Sequence, residues 1–229
     1  GWASRLGADA MARYLLASMQ AEGIDCSNVV CDPTQRTGFL FKGQVTDGSD
    51  PPVEYHRKGS AASLMGPADV DEVWLRSARH LHATGVFAAI SDTSLQAARK
   101  TMEVMRAAGR SISFDPNLRP SLWATPEHMR TSINALAALA DWVLPGIEEG
   151  RLLTGEQTPE AIAAFYRRQG ASLVAIKLGA EGAYYDSSTA GTGYVAGFPL
   201  AKASDTVGAG DGFAAGPVRA LPAGRTVPE

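Results

Sequence analysis

From Leu81 onward, short apolar runs alternate with segments whose apolar residues recur at helical spacing. The strand-like runs are LHATGV, SISFDP, DWVLPG and SLVAIKLGA. The intervening segments predict helices over 92–108, 126–138 and 159–169, and a further helix is expected over 208–221. Residues suited to cap three of these helices precede them: Ser91 or Asp92, Thr125, and Thr158. Such alternation predicts an α/β fold, with a mostly parallel sheet covered by helices on both faces.

The first residues follow a helical pattern almost at once, and no strand is expected before this helix. One face of the predicted helix carries Ala12, Leu15, Leu16 and Met19. At the other end, the chain stops soon after a helix that needs a packing partner. We therefore expect the chain to be a fragment at both termini.

Residues 37–59 have the period of β-strands instead. TGFLFKGQV and VEYHRKG alternate between apolar and polar positions, and TDGSDPP joins them, which predicts a hairpin with a long loop. This hairpin is either a small flap beside the main sheet or an edge hairpin without a function. As a flap, it forms a lid over 37–59, and residues 1–36 and 60–229 form an incomplete α/β domain.

The composition of the chain argues against several classes of binding partner. The chain has 229 residues, is 45% hydrophobic and carries a formal net charge of −3, so it lacks the basic field that binds nucleic acid or anionic membranes. It has no apolar run of bilayer length. The two cysteines, Cys26 and Cys31, do not form a metal-binding or redox spacing. We expect a cytoplasmic protein that binds neither nucleic acid nor membranes.

Ligands of doubly wound sheets bind at the carboxyl ends of the strands. In this sequence the polar or glycine-rich segments that follow predicted strands are Thr84–Gly85, Asp115–Arg119, Gly146–Glu149 and Lys177–Gly182. We expect these four segments to meet at one edge of the sheet.

The stretch SDTVGAGDGFAAG places a glycine-rich turn at the start of the predicted last helix. Free amides at a helix start bind anions, and glycines at 208 and 210 permit a tight turn. Asp211 then lies in the first helical turn, where it would repel a bound phosphate. Its presence is explained if it accepts a proton from a hydroxyl that attacks phosphorus. The alternative is a plain turn in which Asp211 only favours the positive end of the helix.

The string D-T-x-G-A-G-D resembles a signature of the ribokinase-type (PfkB) carbohydrate kinase family. KLGAEGAYY resembles the family's K-x-G-x-x-G segment, and LPGIEEGRLLTG resembles its N-x-x-E region, with Gly146 where the family usually has asparagine. The likeness covers essentially all residues present. It implies a ribokinase-like three-layer α/β/α fold, ATP and Mg²⁺ as cofactors, and the following roles: Asp211 as base, amides of Gly208, Ala209 and Gly210 as the anion site, Lys177, Gly179 and Gly182 along ATP, and Glu149 towards Mg²⁺.

Two further stretches, EYHRKGSAAS and FDPNLRPSLW, are similar to 2-keto-3-deoxygluconate kinases within that family. The likeness implies that Tyr55, Arg57 and Arg119 contact the acid sugar and that Asn117 contacts ATP phosphate or a substrate hydroxyl. Guanidinium groups suit a sugar acid because they bind carboxylate through paired hydrogen bonds.

Structural alternatives remain open for each of these charges. Arg57 is either a substrate ligand or a solvated charge on an edge strand, and Arg119 either binds substrate or pairs with Asp115 or a helix C-terminus. Lys177 is either a phosphate contact or a surface charge at a strand end. The histidines His80, His82 and His128 are interpreted as structural.

The resulting prediction is an ATP-dependent kinase that phosphorylates the terminal hydroxyl of 2-keto-3-deoxygluconate to the 6-phosphate. The alternatives are another sugar or nucleoside kinase of the family, such as a fructokinase or 5-keto-2-deoxygluconokinase, and a non-catalytic binding protein or inactive fragment. The resemblance also implies a homodimer or higher homo-oligomer that forms through the flap.

Overall fold

The structure is a computed structural model that describes residues 1–43, 52–199 and 208–227. Its strands are β1 Ala3–Gly7, β2 Asn28–Asp32, β3 Phe39–Lys42, β4 Val53–His56, β5 His80–Thr84, β6 Ser111–Asp115, β7 Trp142–Val143, β8 Leu173–Lys177, β9 Gly182–Ser187 and β10 Gly191–Ala196. Its helices are α1 Ala10–Ala21, α2 Glu72–Ser77, α3 Gly85–Ala89, α4 Asp92–Ala107, α5 Pro126–Ala137, α6 Ile147–Thr154, α7 Pro159–Arg168 and α8 Ala209–Ala220.

The main sheet has six strands in the order β10-β9-β8-β7-β6-β5. Strands β5 to β8 are parallel, whereas β9 and β10 continue the sheet as an antiparallel edge. The predicted mostly parallel sheet is thus confirmed. The predicted caps are confirmed as well, since the side chains of Ser91, Thr125 and Thr158 accept hydrogen bonds from the first-turn amides of α4, α5 and α7.

Helices cover both faces of this sheet. On one face, Ile112, Phe114 and Val174 pack with residues of α4, α5 and α7 in the main core. On the other face, Ala175 packs with Ala214 of α8. The two faces separate because successive side chains of a strand point to opposite sides. The arrangement is the expected α/β/α layering, and it carries the carboxyl ends of β5–β8 to one edge.

The expectation of no strand before the first helix was wrong. Strand β1 precedes α1 and pairs in parallel with β2 as a separate two-stranded sheet. The segment ASRLG gives little apolar alternation, because its central residue is Arg5. That guanidinium lies 2.9 Å from the carboxylate of Asp32 on β2. An ion pair therefore supports a strand for which the apolar pattern gives no signal.

The predicted hairpin is present: β3 and β4 pair antiparallel, with Leu40 opposite Tyr55 and Lys42 opposite Val53. Most of its connecting loop lies outside the described residues. None of the helices in the part of the chain that the structure describes is long and apolar enough to cross a bilayer.

Candidate active site

An open cleft of about 800 Å³ lies between the hairpin flap, the carboxyl ends of β5–β8 and the start of α8. Strand polarity explains the meeting point, since parallel strands end at the same edge. The side chains and backbone that line the cleft belong to Leu40, Lys42, Val53, Tyr55, Arg57, Thr84, Val86, Asp115, Asn117, Arg119, Gly146, Glu149, Lys177, Gly208, Gly210 and Asp211. The four predicted strand-end segments thus each contribute to one site.

The start of α8 forms the predicted glycine turn. Gly208 is the N-cap, with a positive φ of 86° that a residue without a side chain adopts readily. A Cβ at Gly210 would lie 3.7 Å from Nζ of Lys177, and the first-turn amides of a helix have no partner within the helix. Residues 204–207 of the motif lie outside the described residues. The turn from 208 to 211 therefore lies at a helix start, where backbone amides are suited to bind an anion.

Asp211 is exposed in the first turn of α8 and lines the cleft. Within residues 1–43, 52–199 and 208–227, the structure contains no hydrogen bond or ion pair to its carboxylate. A carboxylate without such partners is available to accept a proton from a substrate hydroxyl.

Lys177 forms an ion pair across the floor of the cleft. Its ammonium lies 2.9 Å from Oδ1 and 2.8 Å from Oδ2 of Asp115. The Asp115 side chain is only 2% exposed, and that of Lys177 is 18% exposed. Burial raises the pKa of Asp115, and the nearby Lys177 charge opposes that rise. Lys177 is therefore not the exposed surface charge that the sequence left open.

Two arginines bring further positive charge to the cleft. The guanidinium carbon of Arg57 lies 4.2 Å from the centre of the Tyr55 ring, and its Nη1 is buried without a hydrogen-bond partner in the described residues. Burial lowers the pKa of Arg57, and the Arg119 charge lowers it further. Arg119 donates to the backbone carbonyl of Leu118 at 2.8 Å. Asp115 is paired with Lys177, so the suggested pairing of Arg119 with Asp115 is not formed.

Asn117 has a strained backbone in the loop after β6. Its φ of 38° is the one positive value among the non-glycine residues that the structure describes. The backbone amide of Asn117 donates a hydrogen bond to Oδ1 of Asp115 at 3.0 Å, and this bond holds the turn in place. Such strain concentrates at binding sites, and Asn117 faces the cleft as expected.

Glu149 links two loops of the site. Its Oε1 accepts a hydrogen bond from the Leu118 amide and its Oε2 accepts one from Gly146, both at 2.7 Å. The described residues hold no group of three His, Cys, Asp or Glu side chains that could bind a metal. Mg²⁺ commonly takes one or two carboxylates together with substrate phosphates and water. Glu149 fits only that kind of site, beside a bound nucleotide.

Three predicted residues do not line the cleft with their own atoms. Ala209 lies between two glycines that do. Gly179 has a positive φ of 63° in the turn after β8. At Gly182 a Cβ would lie 2.0 Å from the carbonyl oxygen of Val195, so packing of the β9–β10 hairpin already requires glycine there.

The two histidines of β5 share one hydrogen-bond partner. The Ser113 hydroxyl, which is fully buried, lies 2.9 Å from Nε2 of His80 and 2.8 Å from Nδ1 of His82. The ring of His80 also stacks on Trp142, with 4.6 Å between centroids. Burial lowers the pKa of His80 to about 4. His80 is therefore neutral near pH 7.

Sequence reasoning missed several flap residues that line the cleft. Leu40 and Lys42 share the face of the hairpin that carries Tyr55 and Val53. The period of two along β3 gives this assignment once Tyr55 is placed in the site. Asp115 was named only within a strand-end segment and as a possible partner of Arg119, and its pairing with Lys177 was not predicted.

A helix start with first-turn amides, an exposed carboxylate beside it and a hairpin next to the ends of a parallel sheet are features expected of α/β kinases that phosphorylate small molecules. A family model described as pfkB family carbohydrate kinase matches residues 1–229. The chain belongs to this family, and its activity class is phosphoryl transfer to a sugar.

Individual relatives agree with the assignment. The chain is 47% identical over 222 residues to a 2-dehydro-3-deoxygluconokinase from Bacillus subtilis (strain 168). The aligned region covers 96% of this chain and 68% of that protein. A PfkB protein from Polaromonas sp. JS666 has a crystal structure that superposes with a TM-score of 0.93 at 71% identity, over all of this chain and 74% of the other. A putative ribokinase II from E. coli, solved with ATP and Mg²⁺, gives 0.87 at 29% identity, over 98% and 70%.

Proposed function

We propose that the protein transfers the γ-phosphoryl group of ATP to the terminal hydroxyl of 2-keto-3-deoxygluconate, also named 2-dehydro-3-deoxygluconate, and forms the 6-phosphate. The observation that carries this proposal is the pair Arg57 and Arg119 in one cleft with Asp211. Arg57 retains a buried donor without a partner among the described residues. A substrate carboxylate would satisfy that donor and offset two neighbouring positive charges.

Each residue has a defined part in this proposal. Asp211 accepts the proton of the attacking hydroxyl, while amides of Gly208, Ala209 and Gly210 hold the transferring group. Arg57, Arg119 and Tyr55 orient the sugar acid. MgATP supplies the phosphoryl group and a cation that offsets its charge.

Residues on the nucleotide side complete the proposed site. Lys177 and Asn117 contact phosphate, and Glu149 approaches Mg²⁺. The predicted ATP contacts of Gly179 and Gly182 stay predictions, because neither lines the cleft. Catalysis then depends mainly on positioning and on stabilising charge.

The test is an ADP-release assay with MgATP and a panel of 2-keto-3-deoxygluconate, gluconate, fructose and ribose. Turnover confined to the keto-deoxy acid supports the proposal. Turnover with fructose alone would favour the second candidate, a neutral-sugar kinase, to which the fructokinases among the relatives point at about 31% identity. Folded protein that turns over none of the panel would contradict the proposed substrate.

We also propose a homodimer through the flap. Phe39 and Phe41 lie on the hairpin face opposite to Leu40 and Lys42, so they point away from the cleft, and Phe41 is 62% exposed. A second copy of the same face would cover these rings. Light scattering on wild type and Phe41→Lys tests this arrangement, since the substitution should shift a dimer to monomer.

A further inference from the structure

The ion pair between Asp115 and Lys177 joins two strands that are not neighbours. Asp115 ends β6 and Lys177 ends β8, with β7 between them. Neighbouring strands lie about 4.8 Å apart, so the lysine side chain must extend over β7 to reach its partner. The backbone of Lys177 is held in place as well, because its amide donates a hydrogen bond to the carbonyl of Pro145 at 2.8 Å.

The same ammonium borders the anion site. Nζ of Lys177 lies 3.7 Å from the position that a Cβ on Gly210 would take. An ammonium has three N–H donors, and the two Asp115 oxygens accept from two of them. The third donor remains for an anion at the turn.

We propose that Asp115 is a positioning residue for phosphoryl transfer, which holds the Lys177 ammonium beside the Gly208–Asp211 turn and away from the Asp211 carboxylate. This inference rests on the proposed function. A lysine on a flexible stem, released from Asp115, would be able to pair with another carboxylate that lines the cleft, and Asp211 carries the exposed one. That pairing would make Asp211 a weaker base.

The substitution Asp115→Asn removes the charge of the side chain and nearly preserves its size and shape. Asp115→Asn keeps an oxygen that can accept the hydrogen bond from the backbone amide of Asn117, so the strained turn keeps this hydrogen bond. The negative charge opposite Lys177 is lost, and an NH₂ group replaces the second oxygen that accepts a hydrogen bond from Lys177. The companion variants are Lys177→Met, which removes the cation, and the double variant, which removes both charges and leaves neither buried without a partner.

The first readout is the affinity for a non-hydrolysable ATP analogue, measured by calorimetry with MgAMP-PNP as the probe, because ADP lacks the phosphoryl group that would occupy the turn. Asp115→Asn should weaken this affinity about tenfold or more, which is the scale of one charge-assisted hydrogen bond. Lys177→Met should weaken it similarly. The double variant should match Lys177→Met, because Asp115 acts through Lys177 and the effects are not additive. Additive losses would overturn the proposal.

The second readout is steady-state kinetics of the active enzyme. Asp115→Asn should raise KM for ATP while KM for the sugar stays within about twofold, and the acid limb of its kcat profile should move to lower pH. Asp115→Glu, which keeps the charge, should restore part of the ATP affinity. Equal rises of both KM values would indicate general disorder of the site and overturn the positioning role.

The outcomes separate the inference from the proposed function. If wild type binds MgAMP-PNP but turns over no sugar of the panel, the function fails, and the calorimetric comparison still decides the role of Asp115. If wild type turns over the sugar acid and folded Asp115→Asn binds MgAMP-PNP unchanged, only the inference fails. If Asp115→Asn does not fold, a double variant that binds MgAMP-PNP differently from Lys177→Met overturns the inference, and equal binding supports it.

Discussion

Replacing Arg57 by methionine is expected to stabilise the protein without ligand and to impair its use of the sugar acid. The buried Nη1 of Arg57 has no partner among the described residues, and the neighbouring Arg119 adds repulsion. An unsatisfied buried donor costs about 1–3 kcal/mol. Methionine keeps much of the apolar stem that packs in the cleft, while the contact with the Tyr55 ring, worth about 0.5–1 kcal/mol, is lost. The net gain in unfolding free energy is about 1 kcal/mol.

The same substitution should impair catalysis with the sugar acid, although it stabilises the protein without ligand. A hydrogen bond to a charged group contributes about 1.5–3 kcal/mol, so kcat/KM for the keto-deoxy acid should fall roughly 10- to 150-fold. A neutral sugar gains nothing from the guanidinium and should show little change. The variant thus exchanges substrate binding for stability, as expected of a residue held in a binding site.

Thermal unfolding without ligand and kinetics across the sugar panel test both halves. About 1 kcal/mol corresponds to a Tm increase of roughly 2–4 °C for a chain of this size. Lys58→Met is the matched control, because Lys58 is exposed, follows Arg57 directly and does not line the cleft. A lower Tm for Arg57→Met together with unchanged kcat/KM would refute the reasoning and make Arg57 a structural residue.

Three further expectations follow from the structure. Asp211→Asn should lower kcat by about two to four orders of magnitude, with sugar affinity by calorimetry retained; near-normal turnover would remove Asp211 from the role of base. The pKa of His80 is lowered to about 4 in the folded protein, so on acidification His80 takes up its proton at a lower pH in the folded state than in the unfolded state. The free energy of unfolding should therefore be highest above about pH 6.5 and should decrease as the pH falls towards 4. His80→Gln should flatten this slope in pH-dependent unfolding; a slope equal to that of wild type would contradict the assignment. Gly85→Ala should cost about 2 kcal/mol or more in denaturant unfolding, because its Cβ would lie 2.0 Å from a backbone oxygen, and Gly66→Ala, with 3.9 Å of room, should serve as the mild control; equal costs would show that the backbone at Gly85 adjusts.

Local pattern was enough for the elements of the main layers. Helices α4, α5 and α7 have both apolar periodicity and capping residues, so the predicted bounds lie within one residue of the observed ones. Helix α6 was not predicted, because its eight residues span only two turns and carry adjacent acids. The β9–β10 hairpin was also left unassigned, since the segment was interpreted by its glycine motif. Short or polar elements give weak local signals, and their contacts with the sheet decide them.

The site shows the same division. The amino-acid pattern specifies which residue types follow each strand, and strand polarity brings those segments to one edge. Which charges meet at that edge depends on the folded arrangement of the strands and the hairpin. Asp115 and Lys177 are 62 residues apart in the chain and pair across an intervening strand, while Arg57 arrives on the flap beside Arg119. Spacing along a chain carries no information about such partners, because charge pairing depends on through-space distance and burial, which exist only once the sheet has formed.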